Sequence, residues 1–208
     1  MKVDAQSAIP VLDDAALESV TQLIVQAQDG AEGGWDRVYL ALYHELHQLA
    51  RMQLHWRWRG GVRSPTSLVT QAWLRLNQAP VAIKDRQHLI ALLGRAMRFA
   101  LIDETRRLLA DKRGRGKDNL ELDPEDSTLI QHEDLEQLVA IDQALSALTL
   151  VDERMSRLVE LRYFGGMSDE EVAQILDVTT RTIRRDWRRA RAFLASRLGD
   201  AGTLALAP

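Results

Sequence analysis

"LRYFGGMSDEEVAQILDVTTRTIRRDWRRAR", residues 161–191, is the stretch whose reading decides the fold. Ser168 stands three residues before Glu171, the spacing of a capping box in which hydroxyl and carboxylate each take a backbone amide that the first turn leaves free. A short helix over Asp169–Leu176 follows, Asp177-Val178 makes a tight turn, and Thr179 is placed to cap a second helix. On that second helix Ile183, Trp187, Ala190 and Leu194 recur at intervals of four, three and four. At about 100° per residue they share one narrow stripe. Arg181, Arg185 and Arg188 fall on the opposite side, with Arg184 at its edge.

A short helix, a turn and a second helix that is apolar inside and arginine-rich outside make a helix-turn-helix. Its second helix fits a DNA major groove, where guanidinium groups bond guanine edges or phosphates. A solvated basic helix face is the competing reading. It loses ground because acids that would balance such a face are nearly absent, Asp186 being the main one.

Outward from this motif the pattern stays helical. Apolar residues recur at helical spacing in "LESVTQLIVQAQ" and "WDRVYLALYHELHQLARM", with "DGAEGG" between them. A further helix is expected from Ser64 to about Ala79, stopped by Pro80, and a long one from Asp85 to Leu109. No segment alternates like a strand, so the fold class is all-α. Residues 111–134, with Gly114, Gly116, Pro124 and dense charge, bury too little to fold alone and are expected to be a linker. The organisation that follows is an extension over 1–16, a small helical domain over 17–110, a flexible acidic linker over 111–134, a second helical domain over 135–198 and a frayed tail over 199–208.

Composition narrows the function classes. The 208 residues include no cysteine, which excludes disulfides, thiolate metal sites and cysteine nucleophiles. His44 and His47 lack carboxylates suited to a closed metal site and are expected on a helix surface, so no metal or other cofactor is expected. There is no membrane span and no signal-peptide core, and a cytoplasmic protein is expected. Asp103-Glu104 are adjacent in a helix and diverge, and no phosphate-cradling loop or nucleophile–base arrangement is present, which argues against an enzyme. The net charge of −3 hides a segregation. Residues 118–136 carry many acids and no Lys or Arg, whereas "TRRLLADKRGRGK" and "RTIRRDWRRARAFLASR" are strongly basic. The acidic stretch is expected to fold weakly over the basic surfaces, being tethered to them.

The run "LVAIDQALSALTLVDERMSRLVELRYFGGMSDEEVAQILDVTTRTIRRDWRRARAFLASRL" resembles region four of bacterial sigma factors of the extracytoplasmic-function (ECF) subfamily. "TQLIVQAQDG", "VYLALYHELHQLARMQL", "SLVTQAWLRL" and "RAMRFALIDETRR" are similar to region two, so the resemblance spans about 19–198. It implies a subunit that binds core RNA polymerase, through the beta-prime and beta subunits, and directs it to promoter DNA. Region four would take the minus-thirty-five element with Arg181, Thr182, Arg184, Arg185 and Arg188, the last two mainly on phosphates. Region two would melt and hold the minus-ten element with Arg95, Arg98, Arg106 and Arg107, and Phe99 would face an unstacked base. Phe99, Leu101 and Ile102 are also readable as core, and Trp56 and Trp58 as nucleic-acid surface or packed helix end.

Polymerase docking falls on the helix that begins at Ser64, with Leu68, Val69, Gln71 and Arg75 as its candidates. Relatives open this helix with several acids, whereas here it opens "SPTSLVTQ". Ser64 is a natural N-cap and Pro65 a natural first residue, which leaves Thr66 and Ser67 in the first turn. Phosphorylation adds about −1.5 to −2 charge where free amides favour an anion. A subgroup that this sequence resembles is linked to Ser/Thr protein kinases, so kinase gating is favoured over an anti-sigma factor, with Thr66 ahead of Ser67 and Ser64. A plain Ser-Pro cap is the alternative there. For the whole chain it is a helix-turn-helix regulator that binds duplex DNA without polymerase.

Overall fold

In a computed structural model the described residues are 14–57, 64–78, 81–114 and 132–205, and they form eight α-helices and no strand. The N-terminal half holds α1 (Asp14–Gln28), α2 (Gly34–Arg57), α3 (Pro65–Asn77) and α4 (Arg86–Gly114). The C-terminal half holds α5 (His132–Val151), α6 (Glu153–Val159), α7 (Asp169–Leu176) and α8 (Thr180–Ala205), with a π-helical turn over Glu160–Phe164 after α6.

Local chemistry sets most of the boundaries. Asp85 caps α4 by accepting the His88 amide at 2.8 Å. Asp152 accepts the Met155 amide at 3.0 Å and thereby starts α6, so the long helical pattern of residues 135–164 is interrupted there. α4 runs on to Gly114 and α5 starts at His132, which leaves 115–131, most of the acidic stretch, outside the described residues. The expected tail is instead helical as far as Ala205, turned at Gly199 by a φ of 64°.

The two halves, expected as two small helical domains joined by a linker, touch along a broad seam. One hydrophobic cluster runs from Val20 and Leu42 through Leu93 and Met97 to Leu145, Phe164 and Leu194. α4 is the central element, packed on α3 in its own half and on α5 and the π-helical turn in the other. At Gly94 the approach is backbone to backbone. A Cβ there would lie 2.8 Å from the Phe164 carbonyl oxygen, closer than such atoms come, so only glycine fits.

One ion pair is enclosed in this core. Arg86 holds both Glu45 carboxylate oxygens at 2.6 Å, and burial nonetheless pushes the Glu45 carboxyl above its ordinary range. His47, expected on a surface, is buried beside Tyr43, with ring centroids 4.3 Å apart.

Candidate nucleic-acid interface

The helix-turn-helix is built as its residues dictate. The Ser168 hydroxyl accepts the Glu171 amide at 3.2 Å, and the Glu171 carboxylate takes the Ser168 amide at 2.9 Å. Asp177 adopts the left-handed conformation, φ 52° and ψ 50°, which ends α7 and makes the turn tight. Thr179 then accepts the Thr182 amide at 3.3 Å, opening α8. Ile183, Trp187, Ala190 and Leu194 are all buried.

Arg181, Arg184, Arg185 and Arg188 are exposed on the other side, with Thr182 half-buried. Together with Thr180 they line a surface depression of about 510 Å³. Arg181 and Arg188 form no ion pair with a described residue, while Arg184 reaches Asp169 at 3.1 Å and Arg185 reaches Asp186 at 3.2 Å. Asp186 does not sit on the basic face. It is 2% exposed and accepts from Arg154 of α6 at 2.8 Å, so it clamps α8 to the body of the protein. Behind the same helix Arg162 lies 4.5 Å from the centroid of the Trp187 ring and donates to Asp169 at 2.7 Å. The exposed face is left cationic.

The α4 arginines are arranged differently. Arg98, expected to face DNA, is 5% exposed. Its guanidinium donates to Asp142 of α5 at 2.6 Å and to Glu160 of the π-helical turn. A guanidinium removed from water needs such partners, and two carboxylates of the other half supply them. Arg106 reaches the second Asp142 oxygen at 2.9 Å and Arg95 lies 3.9 Å from Glu160, both side chains more than half exposed. Arg107 pairs within its own helix, 3.8 Å from Glu104. Phe99 is part-exposed with the Arg95 and Arg98 guanidiniums 5.4 and 5.3 Å from its ring centroid, while Leu101 and Ile102 are core.

α3 confirms its capping chemistry: Ser64 accepts the Ser67 amide at 3.1 Å, Pro65 is the first helical residue, and no acid stands in the first turn. Thr66, Ser67 and Thr70 are exposed. Leu68 and Val69 are a correction to the docking face. Both are completely buried, because they carry the apolar stripe that holds α3 against α2 and α4. Gln71 is half-buried, and Arg75 is tied to Asp103 of α4 at 2.7 Å. The exposed residues of α3 are therefore Thr66, Ser67, Thr70, the half-exposed Leu74 and Asn77. Trp58 lies outside the described residues, as does the Trp56 side chain.

Sequence reasoning missed Asp142, Glu160 and Gln53. Asp142 had a signal, since an acid lies in the middle of the apolar stripe Leu138, Asp142, Leu145, and such a position demands a cation. Among the described residues no group of acids and histidines could hold a metal, and no helix is long and apolar enough to cross a membrane.

A family model described as ECF sigma factor matches residues 17–200. No curated protein and no solved structure matches the chain.

Proposed function

Because the chain belongs to the ECF sigma factor family, whose members bind RNA polymerase for transcription initiation, we propose that α8 contacts the minus-thirty-five element, that the α4 arginines hold the melted minus-ten strand, and that phosphorylation in α3 gates polymerase docking. The observation that carries the first part is the cationic face of α8. Arg181, Thr182, Arg184, Arg185 and Arg188 converge on one depression, and Asp186, the acid within this run of α8, is turned inward. Arg181, at the start of the helix, is positioned to meet base edges; Arg185 and Arg188, further along, meet phosphates.

For the gate, the support is the first turn of α3. It holds exposed hydroxyls where the common pattern of the family it resembles has acids, and it packs on the body through Leu68 and Val69 without using them. The Ser64 oxygen is already committed to its cap, which favours Thr66 and then Ser67 as phosphate acceptors. A phosphate on Thr66 places about −1.5 to −2 charge beside the free amides of the first turn and supplies an anionic docking surface.

The test is a reconstitution with core polymerase, with and without a Ser/Thr kinase, followed by mass spectrometry of residues 63–76. Promoter-directed transcription that requires phosphorylation and is lost in Thr66→Ala is the expected result. Full transcription by unmodified protein removes the gate. DNA binding with no polymerase association in any state returns the chain to the class of free-standing regulators.

A further inference from the structure

Three interactions of different kinds hold the two halves together at one place. The first is ionic: Arg98 of α4 is enclosed between Asp142 and Glu160, with Arg106 and Arg95 directed at the same two carboxylates from outside. The second is a buried amide. Gln53 of α2, 6% exposed, donates through Nε2 to the Gly94 carbonyl at 3.1 Å and to the Phe164 carbonyl at 2.8 Å, one acceptor in each half. The third is steric. Gly94 lies inside α4, a position where glycine weakens a helix, and the close approach of Phe164 accounts for it.

Three of the four α4 arginines assigned above to the displaced strand are thus engaged by acids of the other half, and the fourth, Arg107, by its own helix. A carboxylate and a phosphodiester offer a guanidinium the same thing, a planar pair of anionic oxygens. They compete for the same donors. We infer that the free protein is held closed by an internal latch, in which Asp142 and Glu160 stand in for DNA phosphates on Arg95, Arg98 and Arg106, and that it opens along this seam before α4 engages a DNA strand. The inference rests on the minus-ten assignment of α4 proposed above.

The seam is suited to opening. Its centre is a desolvated ion cluster, and both sets of charges regain hydration on separation, so the closed state is held less firmly than by apolar packing of equal area. Beside the cluster the halves are not sealed: a cleft of about 590 Å³ is lined by Lys84, His88 and Arg95 on one side and Thr149, Glu153 and Glu160 on the other.

The chain has no cysteine, so Lys84→Cys with Glu153→Cys gives one pair of nitroxide labels across that cleft. Pulsed electron resonance on the full-length protein is expected to show a single short distance. Asp142→Asn with Glu160→Gln, and separately Gly94→Ala, are expected to move the population to long, broad distances with helix content retained by circular dichroism. Gly94→Ala leaves every charge in place and improves α4 as a helix, so it opens the seam without unfolding. Both variants are expected to bind a single-stranded oligonucleotide about tenfold more tightly, since affinity is reduced by whatever fraction is closed. A broad distance in the unmodified protein, or short distances in both variants, overturns the latch. Opening without a gain in oligonucleotide binding overturns the competition with DNA. The minus-ten assignment is tested apart from these, by Arg95→Ala with Arg106→Ala in the polymerase complex on a pre-melted promoter; unchanged binding there removes it whatever the labels report.

Discussion

Arg98 donates to Asp142 at 2.6 Å across a separation of 44 residues, one side chain on α4 and the other on α5. Each is almost completely buried, so neither charge has water to fall back on. The pair ties the two halves together through a polar contact.

Breaking one partner of a buried ion pair costs about 3–5 kcal/mol when the remaining charge is trapped. On the latch inferred above, α4 and α5 separate and release it. Urea denaturation of Asp142→Ala is therefore expected to resolve into two transitions where the unmodified chain shows one, because the halves no longer unfold together. A single transition with an unshifted midpoint contradicts the role assigned to the pair.

The α8 arginines divide by the kind of contact they make. Arg188→Ala is expected to weaken duplex promoter binding evenly across sequences and to lower the salt slope by about 1. Arg181→Ala is expected to cost about 1–3 kcal/mol on the cognate sequence alone. Fluorescence anisotropy on cognate and scrambled duplexes over a salt series separates the two, and equal losses on both duplexes for Arg181→Ala argue against base contact.

Stability of the helix-turn-helix is expected to follow its caps and its buried stripe. Ser168→Ala removes the capping box for about 1 kcal/mol, and Trp187→Ala empties the site under Arg162 for about 3–5 kcal/mol. Thermal melts of the two variants should rank in that order. Arg181→Ala, whose side chain is exposed, should leave the melting temperature unchanged.

Burial holds the His47 and His88 imidazoles below their ordinary pKa, and the His88 Nδ1 accepts the Lys84 amide at 3.2 Å, a bond that only the neutral ring can make. In the unfolded chain both titrate near about 6.5. The unfolded state therefore binds more protons in the window below that value, and stability is expected to fall as pH drops from about 7 through about 6.5 and below. The loss is complete once pH passes the lowered folded values. His47→Leu should flatten the decline measured by denaturation at successive pH values; an unaltered slope assigns it to other groups.

From the residues alone, the all-α class, the helix-turn-helix and its two faces were legible. Capping and amphipathicity are local, acting over three or four residues, so Ser168 with Glu171 and Ile183 with Trp187, Ala190 and Leu194 announce their partners by spacing. The first turn of α3 was legible for the same reason. Other placements came only with the tertiary structure. Leu68 and Val69 belong to the core, Asp186 turns inward, and Arg98 is part of a seam and not of an open basic surface. An arginine on a helix looks the same in sequence whether solvent, DNA or a carboxylate faces it. Its fate was set by Asp142 and Glu160, 44 and 62 residues away, and charge pairing at that range leaves no period along the chain. Only the packing of α5 and the π-helical turn against α4, which takes Arg98 out of water, makes those carboxylates its partners.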